Sequence, residues 1–231
     1  MKELRQFTSA RVGLGRTGNS LPTRELLDFQ LAHARARDAV HFPFDSRALA
    51  GEIEAAGWRS IILKSAARNR TEYLRRPDFG RKLDSGSREQ LEALQGHFDT
   101  VFIVADGLSP LAVHCHATGL LREMSPDPLT PVVIVEQGRV AIGDEIGELL
   151  HASLAVMLIG ERPGLSSPDS LGVYLTWAPR AGRTDAERNC ISNIHSNGLS
   201  TGAAAGMLRL LMNQARLRQM SGIQARPLLT G

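Results

Sequence analysis

Three apolar segments decide the fold: VFIVA at 101–105, PVVIV at 131–135 and LAVMLI at 154–159. Near-continuous apolar runs of this length are typical of strands that are buried on both faces of a parallel sheet. Helical patterns follow the first two segments, one running through Met124 and one from Gly143 to Leu150. This alternation predicts an α/β fold with a mostly parallel, Rossmann-like sheet flanked by helices.

Further elements continue the pattern on both sides of these segments. We predict strands at 58–64 and 171–177, and a loop at 73–81 because Pro77 and Gly80 interrupt any regular pattern. An N-terminal helical segment is expected at 21–40, capped by Ser20, and another helix at 87–97, where Ser87 and Gln90 form a capping-box pattern. The last helix begins at Ser200 or Thr201 and has a predicted apolar face of Ala203, Met207, Leu210 and Leu211.

These elements divide the chain into an N-terminal arm (1–20), a helical or α+β accessory segment (21–97) and an α/β domain (98–231). The loops DGLS (106–109), QGRV (137–140) and GERPGL (160–165) each follow one of the three apolar strands. Ligands of such sheets bind outside the carboxyl ends of the strands, so we place the site at these loops. The carboxylates at or near this edge are expected to cap helices and order loops; they are Asp106, Asp144, Glu145 and Glu161.

Composition excludes several classes of function. The 231 residues have a net charge of +3, but the basic residues are scattered and aromatic residues make up only 5%, which disfavours nucleic-acid binding. No apolar run is long enough to span a membrane, and the N-terminus lacks a secretory signal, so an intracellular protein is expected. Cys115 and Cys190 are therefore expected to be reduced. Only Lys2, Lys64 and Lys82 are lysines, and an arginine-rich surface is compatible with a protein–protein interface.

Two motifs match binding patterns but lack the required context. Residues 13–18 (GLGRTG), with Asp38 beyond them, fit G-x-G-x-x-G, yet no convincing strand precedes them, which favours a glycine-rich arm over a dinucleotide site. The sequence His114-Cys115-His116 resembles a metal cluster, but on a helix the two histidines point to different sides. We therefore expect no metal site, and no complete catalytic set is visible.

Several segments together resemble the small chain of ethanolamine ammonia-lyase. They are ARVGLGRTG (10–18), TRELL (23–27), YLRRPDFGR (73–81), DGLS (106–109), GRVAIGDEIGE (138–148), GERPGL (160–165) and CISNIH (190–195). GERPGL and CISNIH are the most specific of these. They occur in the family's order over nearly the whole chain, which makes chance resemblance implausible.

The resemblance implies an adenosylcobalamin-dependent lyase that converts ethanolamine to acetaldehyde and ammonia by a radical mechanism. It also implies a hetero-oligomer in which a large subunit holds the substrate and this chain, through residues 98–231, holds the cobalamin at the interface. By the same resemblance, the cofactor-binding residues are Val140, Glu161 and Cys190, and no catalytic residue or metal ligand is expected in this chain. Val140 would contact the corrin, Glu161 would accept hydrogen bonds from it, and Cys190 would offer a small packing surface.

Residues 116–119 test the mode of cobalamin binding. Many cobalamin mutases replace the cofactor's own base with the histidine of a D-x-H-x-x-G loop. Here His116 begins H-x-x-G, but residue 114 is a histidine and the segment has a helical pattern. We therefore expect the base-on form, with the dimethylbenzimidazole retained on cobalt.

Location and two other functions stay open at this point. Relatives often carry a longer N-terminal extension that is associated with packaging into a bacterial microcompartment, whereas this chain begins almost at the common core. A cytoplasmic location is expected, and a place inside a microcompartment is left open. The alternative functions are a non-catalytic assembly scaffold and a free-standing Rossmann-like enzyme that binds a nucleotide at the same loops.

Overall fold

The computed structural model describes residues 11–94, 96–124 and 130–223. Residues 1–10 of the predicted N-terminal arm lie outside that range. The helices are α1 (Thr23–His41), α2 (Ser46–Ala55), α3 (Arg70–Arg75), α4 (Ser85–Glu92), α5 (Pro110–Glu123), α6 (Ile142–Leu149) and α7 (Thr201–Arg218). The strands are β1 (Ser60–Lys64), β2 (Thr100–Ala105), β3 (Val132–Glu136), β4 (Leu154–Gly160), β5 (Leu171–Trp177) and β6 (Arg188–Ile194).

The strands form one sheet in the order β1-β3-β2-β4-β5-β6. The first four are parallel to one another, and β5 is antiparallel to both of its neighbours. This confirms the predicted α/β fold with a mostly parallel sheet. The direction changes at β5 because the connection from β4, residues 161–170, contains no crossover helix that would return the chain to the opposite edge. The predicted division into 1–20, 21–97 and 98–231 stays a prediction, although β1 belongs to the common sheet.

Helices cover the two faces of the sheet unequally. The larger core joins one face to α2, α5 and α7, and includes Leu49, Leu120 and Leu208. The smaller core joins the other face to α4 and α6, and includes Leu91 and Ile146. The helices that contact β5 most extensively are α5 and α7, and both lie on the first face. The second face of β5 and β6 therefore carries partly exposed side chains, and the site described below extends onto it.

The sequence prediction was wrong at two helix starts. Asp84, not Ser87, caps α4, since its carboxylate accepts the Ser87 backbone N–H at 2.7 Å. Pro22 precedes α1 without a side-chain cap, and the predicted cap Ser20 is instead bonded through its backbone to Thr17. Both errors concern residues within a few positions of the true boundary, where local sequence offers competing caps.

Three larger corrections concern burial and long-range pairing. Residues 73–81, predicted as a loop, contain the end of α3 and a short 3-10 turn, with Tyr73 fully buried. The face of α7 predicted to be buried is largely exposed. The residues of α7 that are in fact buried lie on another side and are Ala204, Ala205, Leu208, Met212 and Ala215. Strand β6 was missed because its residues alternate irregularly between buried and exposed positions. Among the described residues, no helix combines the length and apolarity needed to cross a membrane.

Candidate functional site

A cavity of about 370 Å³ lies at the carboxyl edge of the parallel strands. Its lining comes from the loops after β2, β3 and β4, through Leu108, Val140 and Glu161, together with Tyr73 and Tyr174. The loops DGLS, QGRV and GERPGL therefore meet at one edge of the sheet, as the sequence predicted. Parallel strands bring this about because their carboxyl ends lie at a common edge.

Asp106 connects the loops DGLS and QGRV from a buried position beneath the cavity. Its side chain is fully buried and accepts the Gly138 backbone N–H at 3.0 Å. The Arg70 guanidinium donates to the Asp106 carboxylate at 3.1 Å and to the Gly107 carbonyl at 2.7 Å. Burial raises the pKa of Asp106 to about 7, whereas Arg70 and the backbone N–H groups of Gly107, Gln137 and Gly138 act in the opposite direction. Asp106 thus orders the loops, as expected, and does not reach the cavity lining.

Tyr73 supports the same loops from α3. Its hydroxyl donates to the Gly138 carbonyl at 3.1 Å, and burial raises the pKa of this phenol. Two guanidinium groups contact its ring: Arg70 lies 4.8 Å and Arg139 lies 4.3 Å from the ring centroid. This role of Tyr73 could not be predicted from the sequence, because nothing local in 73–81 indicates that its side chain is buried beneath a loop 65 residues later in the chain.

Two glycines allow the first and third loops to approach each other. The Leu108 backbone N–H donates to the Gly160 carbonyl at 2.9 Å. Gly107 has φ of +56°, and a Cβ at this position would overlap the Gly160 carbonyl oxygen. A side chain at Gly160 would in turn overlap the Ser109 carbonyl. Both positions therefore require the absence of a side chain.

Glu161 is held in place by three donors. The hydroxyl of Ser170 donates to Oε2 at 2.6 Å, the hydroxyl of Ser192 to Oε1 at 2.5 Å, and the Asn193 backbone N–H to Oε2 at 3.2 Å. These bonds connect Glu161 to the residue that precedes β5 and to the end of β6. The carboxylate is thus fixed at the cavity wall while it remains half-buried.

Cys190 lies on β6 directly opposite Tyr174 of β5. Its thiol is free and exposed, and it lies next to the cavity through its contact with Tyr174. Burial raises the pKa of the Cys190 thiol, while a hydrogen bond from the Tyr174 hydroxyl acts in the opposite direction. The structure therefore brings Val140 and Glu161 to one cavity and places Cys190 beside it, on the second face of β5 and β6.

A second cavity, of about 470 Å³, adjoins the first. Both are lined by Arg139, Val140 and Tyr174, and the second adds Arg81 and Arg183. Val140 therefore lies between two open spaces. An extended ligand that contacts Val140 can occupy both.

Other predicted features lie elsewhere. Asp144 and Glu145 project from α6 to Arg188 and Arg88, away from the first cavity. Burial raises the pKa of Asp144 to about 6, and Arg188 acts against this shift. These two carboxylates hold α6 against its neighbours, in line with an ordering role.

The histidines of the 114–116 segment point to different partners, as predicted. Nε2 of His114 accepts the Asp45 backbone N–H at 3.2 Å, whereas Nε2 of His116 lies 3.0 Å from Asp169. Potential ligand atoms of Cys115, His116 and Asp169 all lie within 4.8 Å of one another. Sequence spacing could not reveal this group because Asp169 is contributed by the distant loop after β4.

The glycines of 13–18 lead into α1 through a turn between Thr17 and Ser20, and no strand precedes them in residues 11–22. The structure thus lacks the strand–turn–helix context of a dinucleotide fingerprint in the described part of this segment.

Comparison with known proteins identifies the family. The family model described as ethanolamine ammonia-lyase light chain (EutC) matches residues 1–226. The chain belongs to the ethanolamine ammonia-lyase light-chain family. It is 58% identical over 231 residues to the ethanolamine ammonia-lyase small subunit of Pseudomonas fluorescens (strain Pf0-1), covering 96% of this chain and 84% of that protein.

Two further relatives have the same description. The ethanolamine ammonia-lyase small subunit of Pseudomonas aeruginosa (strain LESB58) is 56% identical over 230 residues, covering 95% of this chain and 84% of that protein. The ethanolamine ammonia-lyase small subunit of Pseudomonas putida (strain F1) is 55% identical over 230 residues, covering 95% of this chain and 85% of that protein. The resemblance seen in the sequence is therefore confirmed. In this light chain, the family segments DGLS, GRV and GERPGL are the loops that bound the first cavity.

Proposed function

We propose that this light chain is the small subunit of an adenosylcobalamin-dependent ethanolamine ammonia-lyase and forms one wall of the cobalamin site. The observation that carries the proposal is the meeting of the three family loops around one open cavity, with Val140 and Glu161 in its lining and Cys190 beside it. The large subunit is proposed to form the other wall and to hold the substrate.

The size of the cavity supports a shared site. Pockets of about 300–1,000 Å³ enclose drug-sized ligands, and a cobalamin is much larger than these. The first cavity, of about 370 Å³, can therefore cover only part of a cobalamin, and the adjoining cavity beyond Val140 extends the available surface. A second protein has to cover the remainder if water is to be kept from a radical reaction.

The three proposed contact residues offer distinct interactions. Val140 presents an apolar side chain between the two cavities. Glu161 keeps its carboxylate oriented through Ser170 and Ser192, so that a remaining lone pair can accept a corrin amide N–H. Cys190 presents a small, soft thiol beside the cavity, and burial raises the pKa of this thiol.

The chemistry itself is assigned to the cofactor. When bound, adenosylcobalamin would supply, by cobalt–carbon homolysis, the carbon radical that abstracts hydrogen from ethanolamine. This chain contributes binding, orientation and exclusion of water, and no group of it is assigned a proton-transfer role. Location in the cytoplasm or inside a bacterial microcompartment stays a prediction.

The base-on mode is supported by the structure of residues 116–119. They lie within α5, and His116 is engaged by Asp169. Its place in a helix and its bond to Asp169 differ from the free loop histidine that would replace the dimethylbenzimidazole, which favours the base-on form. An EPR spectrum of the cob(II)alamin form of the complex would show coupling to the benzimidazole nitrogen; histidine coupling would contradict the base-on proposal.

Reconstitution tests the proposed function. The chain is co-purified with an ethanolamine ammonia-lyase large subunit, adenosylcobalamin is added, and acetaldehyde formation is followed with each component omitted in turn. We expect activity only when both chains and the cofactor are present. Full activity of the large subunit alone would favour the scaffold alternative, and activity of this chain alone would place the catalytic site here.

A variant pair connects the activity to the cavity. Glu161→Gln retains the side-chain volume but removes the carboxylate charge, so we expect weaker cobalamin binding by the complex. Glu89→Gln makes the same change on the exposed surface of α4 and serves as the matched control. Equal cobalamin affinity in both variants would remove Glu161 from the proposed site.

A further inference from the structure

Three arginines line the two adjoining cavities without a carboxylate partner. Arg162 lines the first cavity, Arg81 the second, and Arg139 lines both. Within residues 11–94, 96–124 and 130–223, none of the three forms an ion pair. By contrast, Arg183 and Arg188, which also line the second cavity, are paired with carboxylates.

Arg139 is held rigidly with unused hydrogen-bonding capacity. Its guanidinium lies over the Tyr73 ring, 4.3 Å from the centroid, and its backbone N–H donates to the Gly80 carbonyl at 2.7 Å. Nη2 makes one long bond, 3.3 Å, to the Tyr73 carbonyl, and the buried Nε has no partner within the described residues. A fixed guanidinium with free N–H groups loses little side-chain entropy when it binds an anion.

These positive charges surround Val140, the residue proposed to contact the corrin. Arg139 precedes it in the chain, and both residues line both cavities. Among the described residues, each lining contains one carboxylate, and both are engaged. Glu161 in the first cavity accepts from two hydroxyls and a backbone N–H, and Asp185 in the second cavity is paired with Arg188 at 2.9 Å. The surface around Val140 therefore favours a ligand that is neutral over most of its area and carries an anion at one point.

The geometry points to a phosphate subsite, in which Arg139, flanked by Arg81 and Arg162, binds the phosphodiester of the cobalamin nucleotide loop. This inference rests on the proposed function. The side arms of the corrin are neutral amides, whereas the nucleotide loop carries a formal negative charge on its phosphate. A planar guanidinium matches two phosphate oxygens, and such charge-assisted pairs are stronger than neutral hydrogen bonds.

Acidic side chains of the large subunit are the competing source of negative charge. If they neutralise the three arginines, substitution of an arginine weakens the assembly of the two subunits and lowers the affinity for every corrinoid by the same factor. If the phosphate neutralises them, the substitution lowers the affinity only for corrinoids that carry a phosphate. The two cases therefore differ in ligand preference.

Equilibrium dialysis of the two-subunit complex measures this preference without reference to activity. The probes are cobinamide, which lacks the nucleotide loop, and cobinamide phosphate, which adds only the phosphate; both are quantified by corrin absorbance. We expect the wild-type complex to bind cobinamide phosphate about tenfold or more tightly than cobinamide, as for other hydrogen bonds to charged groups. The preference is expected to decrease as salt is added, because the guanidinium groups are partly exposed.

Single variants assign the preference to residues. Arg139→Ala should reduce it to about threefold or less. Arg162→Gln, at an exposed position, should reduce it by a smaller factor and should leave folding intact, because this side chain makes no hydrogen bond or ion pair within the described residues. Arg59→Ala removes the same charge at the amino end of β1, on the opposite edge of the sheet, and should leave the preference unchanged.

Two outcomes overturn the inference in distinguishable ways. If the wild-type complex binds both probes equally, or if Arg139→Ala and Arg162→Gln retain the full preference, the phosphate subsite is wrong while the cobalamin site stands. If the wild-type complex binds no corrinoid, including cobalamin, the proposed function fails together with the subsite.

Discussion

Gly107→Ala tests how closely the loops at the carboxyl edge approach each other. Gly107 has φ of +56°, in the left-handed region, and a Cβ there would lie 2.5 Å from Cγ1 of Ile159 and would overlap the Gly160 carbonyl oxygen. An alanine at this position would therefore have an unfavourable backbone conformation, and its methyl group would overlap neighbouring atoms. Gly160 is itself in close contact with Ser109, so a shift of the loop after β4 away from the new methyl group would disturb this second contact.

The two costs can be estimated separately. A non-glycine residue in the left-handed conformation costs about 1–2 kcal/mol. Forcing an extra methyl group into a closely packed site costs about 1–3 kcal/mol more. We therefore expect the free energy of unfolding to fall by about 2–5 kcal/mol, a large fraction of the total stability of a typical domain.

Two other glycines serve as matched controls. Gly182 has φ of +92°, and within the described part of the chain no atom lies within 4 Å of the place that a Cβ would occupy, so Gly182→Ala should cost only the conformational part, about 1–2 kcal/mol. Gly51 lies inside α2 with open space around it, and Gly51→Ala should stabilise the chain by about 0.5–1 kcal/mol.

Urea unfolding of the full chain, followed by the fluorescence of the buried Trp58 and the partly buried Trp177, measures the stability of each variant relative to wild type. The expected order of stability is Gly51→Ala above wild type, then Gly182→Ala, then Gly107→Ala. A Gly107→Ala chain as stable as the Gly182→Ala chain would refute the close packing of the loops.

Three further predictions concern other parts of the molecule. Leu208→Ala should lower the free energy of unfolding by about 2–5 kcal/mol because Leu208 is fully buried, whereas Leu210→Ala should change it by less than about 0.5 kcal/mol because Leu210 is 65% exposed. Urea unfolding of both variants shows which face of α7 is buried, and equal losses would contradict the assignment. Tyr73→Phe leaves the Gly138 carbonyl without its donor and should cost about 1–3 kcal/mol in the same assay, while an unchanged value would show that the bond contributes nothing. Cys190 should react with iodoacetamide at pH 7.5 more slowly than an unstructured cysteine peptide, because burial raises its pKa. If the proposed cobalamin site is correct, the reaction should be slower again when cobalamin is added to the complex; mass spectrometry measures both rates, and an unchanged rate with cobalamin would separate Cys190 from the proposed site.

The carboxyl-edge site was predictable because its position depends on a local property of the chain. The apolar runs at 101–105, 131–135 and 154–159 identify buried parallel strands, and parallel strands end at a common edge. Val140 and Glu161 lie in the loops that follow two of those strands. Their meeting at one cavity therefore required no knowledge of long-range contacts.

The positions of Cys190 and Tyr73 could not be predicted from local sequence patterns in this way. The strand that carries Cys190 alternates irregularly between buried and exposed positions, and its pairing with β5 includes a shift of register. Tyr73 is buried by a loop far along the chain, which no local pattern reports. The family resemblance singled out Cys190, but its position opposite Tyr174 became visible only in the sheet.

The sequence by itself determined the α/β class, the parallel strands and the edge at which their loops meet, because side-chain hydrophobicity along a segment specifies whether that segment is buried. Only the tertiary structure decided which side of each amphipathic element is covered. Helix α7 has apolar residues on more than one side, and packing against α5 and the sheet selects the side of Leu208 over that of Leu210. Only the tertiary structure also decided which charges are paired. Arg70 meets Asp106, and Arg139 has no carboxylate beside it in the described chain, because the segments that surround each arginine are remote in sequence.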